Sequence, residues 1–304
     1  MPDSSDAGAP DEPLLDADTV RALERLSLVS LDAVVAGFAG QRAGRAGGTG
    51  LEFADYRPYA VGDDLRRIDW NVFVRLRELL VKLGPEEGHI EIDLLIDSSG
   101  SMGVGPQSKL RYARRVAAAL GAVGLLRADA VRAWALSDGE AEPGARLDGR
   151  PMLALLEREI DRLGTGRATD LPASLHSYRG TGAAADLAVL LSDALVRPAS
   201  LAQALDELAS AAPSTALVHV IDGADAARPP RGAVVLRDRE TGRRLELALT
   251  PSVSAAYEER FERFRSAVEG ACADAGVRYV PAPTDASVLD LLSESARLAG
   301  LVRV

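Results

Sequence analysis

The sequence predicts an α/β fold: a doubly wound, mostly parallel sheet with helices on both faces, preceded by a small N-terminal helix and β elaboration. Three observations predict it. Apolar runs of strand length recur at 90–97, 130–136, 186–192 and 216–222, and near-continuous apolar runs are the pattern of strands buried on both faces. Segments of helical periodicity separate them, and that alternation specifies parallel crossovers. Asp97 ends the first of these runs and Asp193 directly follows the third, and an open α/β sheet binds its ligands at the carboxyl ends of its strands.

Taken in order, residues 1–17 are acidic and rich in Ser, Pro and Ala, the composition of a disordered tail. A helix is expected from Asp18, which serves as N-cap to a stripe of Leu23, Leu26, Leu28, Leu31 and Val34-Val35. The stretch Gly40 to Gly50 is Gly-rich and carries Arg42 and Arg45. It lacks a Gly-Lys-Ser/Thr ending and opens no helix, so it reads as a linker rather than a phosphate loop. Residues 18–89 form one N-terminal segment, β-rich over 51–89, with a strand expected at Leu79-Leu80-Val81-Lys82-Leu83.

The main domain is expected over 90–304. Strand 90–97 feeds helix 108–128, carried by Leu110, Ala113, Val116, Leu120 and Val123. Strand 130–136, helix 151–163, a helix opening at Asp170, strand 186–192, helix 199–211 and strand 216–222 follow. Ala233-Val234-Val235-Leu236 and Leu245-Glu246-Leu247 flank Glu240-Thr241-Gly242, a β-hairpin pattern. A helix over 252–275, strand 277–280 and helix 286–299 complete the chain.

Composition narrows the function classes. At 304 residues, with 47% hydrophobic side chains but only 4% aromatic ones, the chain has an ample core built mostly of Ala, Leu and Val. The net charge of −10 argues against nucleic acid as a main partner. Cys272 is the only cysteine, which rules out an intrachain disulfide and a multi-thiolate zinc site and points to a buried structural thiol. The N-terminus has no basic and apolar regions of a signal peptide, and no window approaches the ~20 apolar residues of a membrane span. A cytoplasmic protein is expected.

The chemistry is carried by Asp97-Ser98-Ser99-Gly100-Ser101, one carboxylate and two hydroxyls on a tight turn at a strand end. Oxygen donors suit a hard cation such as Mg²⁺ or Mn²⁺. The order of this motif, then Thr169, then Asp193 resembles the metal-ion-dependent adhesion site of von Willebrand factor A domains. By that resemblance Asp97, Ser99, Ser101, Thr169 and Asp193 hold the ion, the aspartates largely through indirect contacts, and a partner's acidic side chain completes the shell. Neutral hydroxyls leave most of the ion's charge unquenched, so an incoming carboxylate still gains by binding. Asp170, next to Thr169, is an alternative second-motif ligand, and the blander alternative is a loop whose Ser and Asp merely cap a helix.

Gly50-Leu51-Glu52-Phe53-Ala54-Asp55-Tyr56-Arg57-Pro58-Tyr59, continuing through Gly62-Asp63-Asp64 to Arg66-Arg67-Ile68-Asp69-Trp70, resembles the signature of the bacterial family called domain of unknown function 58. Its members carry a von Willebrand A-like domain, and many are encoded beside MoxR-type AAA+ ATPases. The resemblance implies a non-enzymatic, metal-dependent interaction module, an adaptor of such an ATPase or its client in protein maturation or complex assembly. The rival is a metal-dependent phosphoester hydrolase on the same oxygens, with Asp170 its nearest candidate base. A haloacid-dehalogenase-type site would need an acid where Ser99 stands and a lysine after Lys109, the last in the chain. A serine hydrolase lacks its G-x-S-x-G elbow, and neither His176 nor His219 is tied to a serine by the sequence.

Overall fold

The computed structural model describes residues 13–28, 55–59, 73, 78–83, 89–103, 108–163, 170–222, 232–237 and 244–303. Packing divides the chain into residues 31–89 and a larger unit, residues 1–30 with 90–304. In the smaller unit, β2 (Asp55–Pro58) and β3 (Leu80–Leu83) pair antiparallel. The signature residues Asp63, Asp64, Arg66, Arg67, Asp69 and Trp70 lie outside the described residues, as does the Gly-rich stretch 40–50.

The N-terminal helix joins the larger unit, not the segment 18–89 with which the sequence grouped it. Helix α1 spans Ala17–Leu23, capped by Asp16 rather than Asp18, and Asp16 Oδ1 accepts from the Thr19 N–H at 2.7 Å. Leu14, Leu15 and Leu23 are buried in the main core, so Leu14 and Leu15, inside the stretch expected to be a tail, are packed. The helix also stops earlier than its apolar stripe suggests. Leu26 enters the core just before the short strand β1 (Ser27–Leu28) and Leu28 from within it, and β1 pairs with the C-terminal strand β12 (Val302–Arg303).

The main sheet has six strands in the order β11-β8-β7-β4-β5-β6. These are β4 (Glu91–Asp97), β5 (Ala130–Ser137), β6 (Glu140–Asp148), β7 (Leu187–Ser192), β8 (Ser214–Ile221) and β11 (Arg278–Pro283). All pairs are parallel except β5–β6, so the expected doubly wound α/β architecture is the one observed. On one face lies helix α2 (Lys109–Leu126) with the first core, including Ile92, Leu94 and Ile96. On the other lie α4 (Leu171–Gly180), α5 (Pro198–Ala209) and α6 (Pro251–Ala275) with Leu95, Leu190 and Leu217. Helix α3 (Leu153–Arg162) adds Leu156 and Ile160 to the first core. Cys272 on α6 is buried, and burial pushes its thiol pKa up to about 12, as expected of a structural cysteine.

Strand β6 has no counterpart in the sequence reading. Glu140-Ala141-Glu142-Pro143-Gly144 is polar and contains a proline, which suits an edge strand and conceals it from a search for apolar runs. Its turn, Asp138-Gly139, has φ of 51° and 83°, the double positive φ of a two-residue hairpin loop. The hairpin expected near 233–247 is present as β9 (Gly232–Arg237) and β10 (Arg244–Leu249). The helix expected over 286–299 is broken by a π-helical turn at Leu291–Ser295.

Strand β4 leads through α2 to β5 on one side, whereas β7 leads through α5 to β8 on the other. Between β4 and β7, therefore, lies the topological switch point, the crevice where such sheets hold ligands.

Candidate functional site

Asp97 is the last residue of β4, and Asp193 follows the last residue of β7. Strand pairing alone brings the first and third motifs together at the switch point, with Ile96 opposite Leu191. Asp97 is 1% exposed and both its oxygens are engaged. Oδ1 accepts from the Ser99 N–H at 3.0 Å, and Oδ2 accepts from the Ser192 hydroxyl at 2.6 Å. Burial, and then the charge of Asp193, push its pKa up to about 6.

Beyond Asp97 the chain turns through a 3₁₀ segment, Gly100–Gly103, anchored by the buried Met102. This turn sets Ser99 Oγ 3.1 Å from Ser101 Oγ. Neighbouring oxygens in an octahedron with Mg²⁺–O bonds of ~2.0–2.1 Å lie about 3 Å apart, so the two hydroxyls have the spacing of adjacent ligands. Among the described residues, no group of three His, Cys, Asp or Glu side chains converges as a metal cage. The oxygens that the turn brings together are two serine hydroxyls with a carboxylate beside them, and all-oxygen groups of this kind suit a hard divalent ion.

The third motif is held firmly. Asp193 Oδ1 accepts from the Leu195 N–H at 3.1 Å, and Oδ2 accepts from Lys109 Nζ at 2.7 Å in a fully buried ion pair. Ala194 takes φ of 53°, a left-handed conformation uncommon for a residue with a Cβ. Its N–H donates to Ser192 Oγ at 3.0 Å. Ser192 thus accepts from one end of the turn while donating to Asp97. His219 braces the turn from β8, with Nε2 3.1 Å from the Asp193 carbonyl and Nδ1 2.9 Å from the Tyr279 hydroxyl. A carbonyl only accepts, so Nε2 carries the proton and Nδ1 accepts from Tyr279. Burial lowers the His219 pKa to about 4, which keeps the ring neutral.

The structure brings together Asp97, Ser99, Ser101 and Asp193 of the five expected residues; Thr169 lies outside the described ones. Asp170 is exposed and caps α4, its Oδ1 accepting from the Ala173 N–H at 3.2 Å. His176 is exposed and lies 3.3 Å from Glu207. Lys109, Ser192 and His219 join the cluster without having been singled out as site residues. Ser192 had a signal, since it precedes Asp193 at a strand end. His219 reads as a core imidazole until β7 and β8 are paired with Ser192 opposite His219.

Residues 55–267 match the family described as "Protein of unknown function DUF58". The chain belongs to the DUF58 family. Over 294 residues this DUF58 protein is 28% identical to uncharacterized protein Rv1480 of Mycobacterium tuberculosis (strain ATCC 25618 / H37Rv) and to uncharacterized protein Mb1516 of Mycobacterium bovis (strain ATCC BAA-935 / AF2122/97). The alignments cover 93% of this chain and 89% of each relative. Among solved structures it is similar to the conserved hypothetical protein BatB from Bacteroides thetaiotaomicron, at TM-score 0.45 and 16% identity, covering 69% of this chain and 98% of that one. It is also similar to an aerotolerance-related membrane protein from Bacteroides fragilis NCTC 9343, at TM-score 0.30 and 17% identity, covering 62% and 98%.

The expectation of a cytoplasmic protein is not retained: the second of these neighbours is described as a membrane protein. Among the described residues no helix is long and apolar enough to cross a membrane. That fact concerns a span and assigns no compartment.

Proposed function

We propose that this DUF58 protein is a non-enzymatic, metal-dependent protein-interaction module. Ser99, Ser101 and Thr169 would hold Mg²⁺ or Mn²⁺ directly or through water, and Asp97 and Asp193 would support them largely through indirect contacts. A bound divalent ion supplies a Lewis-acidic point for an acidic side chain of a partner. The observation that carries the reading is the 3.1 Å pair of serine hydroxyls above the buried Asp97 at the switch point.

The protein residues orient and insulate. The Ser99 N–H and the Ser192 hydroxyl fix the Asp97 carboxylate in place, so it acts through the turn it holds rather than as a free ligand. Lys109 and the Leu195 N–H do the same for Asp193. By the family resemblance, the partner is a MoxR-type AAA+ ATPase or its client, and the role is that of an adaptor in maturation or assembly.

Binding of the full chain to a purified MoxR-type ATPase from the same genome, in Mg²⁺ and in EDTA, tests the proposal. Capture in Mg²⁺ that is lost in EDTA and in Ser99→Ala/Ser101→Ala supports it. Capture that is indifferent to both would place partner binding elsewhere on the chain. Metal-dependent turnover of a phosphoester by the wild type, abolished by Asp170→Asn, would replace it with the hydrolase reading.

A further inference from the structure

Helix formation alone does not account for Lys109. It opens α2, an 18-residue helix with no acidic side chain in its first turn, and a cation at that end opposes the helix dipole. It is 2% exposed, and a buried ammonium is costly unless paired. One charged partner comes from 84 residues away, the Asp193 carboxylate at 2.7 Å. Helix formation and core packing would both favour another residue, so the position answers to the site.

We infer that Lys109 is a resident cation that sets the net charge of the strand-end site and thereby selects an anionic, carboxylate-bearing ligand. The inference rests on the metal-dependent reading above. Asp97, Asp193 and Lys109 together leave one net negative charge when the carboxylates are ionised. A divalent ion converts this to one net positive charge, which a single carboxylate cancels. Without the lysine, the two aspartates alone would neutralise the ion, and an incoming carboxylate would gain far less. Lys109 therefore weakens metal capture and strengthens ligand capture by the same charge.

The test is titration of Mn²⁺ into the full chain, with and without sodium acetate as the carboxylate probe, for wild type, Lys109→Gln and Lys109→Arg. Circular dichroism checks the fold of each. Lys109→Gln should bind Mn²⁺ roughly tenfold tighter or more, the scale of a unit charge acting at short range in partly buried surroundings. Acetate should tighten Mn²⁺ binding in wild type and Lys109→Arg but not in Lys109→Gln. Should the loss of its partner at Asp193 prevent Lys109→Gln from folding, Lys109→Gln/Asp193→Asn restores the original net charge and should show no tenfold gain in Mn²⁺ affinity over wild type.

Equal or weaker Mn²⁺ binding by folded Lys109→Gln overturns the inference, as does a tenfold gain in Lys109→Arg or the double variant. Binding by Lys109→Gln with none by wild type supports the inference while refuting metal dependence in the natural chain. Binding by none of the chains refutes both.

Discussion

Asp97 and His219 sit at opposite ends of one hydrogen-bonded turn and respond to pH in opposite directions. Asp97 has a folded pKa of about 6 against an unfolded value of about 3.9. The folded chain binds that proton more tightly, so this contribution to stability falls as pH rises from about 4 to 6. His219 has a folded pKa of about 4 against about 6.5 unfolded. Here the unfolded chain binds the proton more tightly, so stability rises with pH across about 4 to 6.5 and is lost on acidification. In EDTA the two slopes offset each other in the wild type. Asp97→Asn should unmask the histidine, giving stability that rises over that interval by on the order of 3 kcal/mol; urea melts at several pH values read it, and a slope matching wild type would contradict it. Ser192→Ala removes the 2.6 Å donor to a buried carboxylate and should cost about 1–3 kcal/mol at pH 7, measured by urea denaturation. The D-x-S-x-S turn and Asp193 were legible in the sequence because an acid or hydroxyl that closes an apolar run announces a strand end. Lys109 was not, because its partner lies 84 residues away and the pairing depends on strand order.

At the scale of elements, α2 is the part that delivers Lys109, and its glycines set how closely it lies on the sheet. A Cβ on Gly121 would fall 2.7 Å from Leu156 Cδ2 and 3.2 Å from both Leu94 and Val131 side-chain carbons. Alanine favours a helix over glycine by about 1 kcal/mol, yet overpacking of this kind costs about 1–3 kcal/mol. Gly121→Val, which adds two more carbons and a stiff β-branch, should therefore destabilise by about 2 kcal/mol or more in urea melts. A variant as stable as wild type would mean the neighbours yield freely. The strands buried on both faces were readable as apolar runs, and the long helices as periodic stripes. Strand β6 was not, since an edge strand with Pro143 and alternating glutamates resembles a loop, although Asp138-Gly139 marks its turn. The C-terminal helix was read as continuous because a π turn leaves the apolar spacing of Val288, Leu291, Leu292 and Ala296 nearly unchanged.

For the whole molecule, the crossing of connections between β4 and β7 is what turns a strand-end motif into a site. Alternating strands and helices predict that a switch point exists. They do not say which two strands flank it; Asp97 and Asp193 supplied that, as the acids that close the two central strands. The same limit explains the N-terminus. Leu14 and Leu15 look like apolar residues in an acidic tail, and only the assembled fold offers a core for them to enter.

Isothermal titration of Mg²⁺ and Mn²⁺ into the full-length chain, beside Ser99→Ala/Ser101→Ala and Asp193→Ala, tests the central claim most directly. The account predicts one-site binding in the wild type that disappears in the serine variant and weakens in Asp193→Ala, with circular dichroism unchanged. Undiminished binding in the folded serine variant would contradict it, because the paired hydroxyls at 3.1 Å would then not be the ion's ligands.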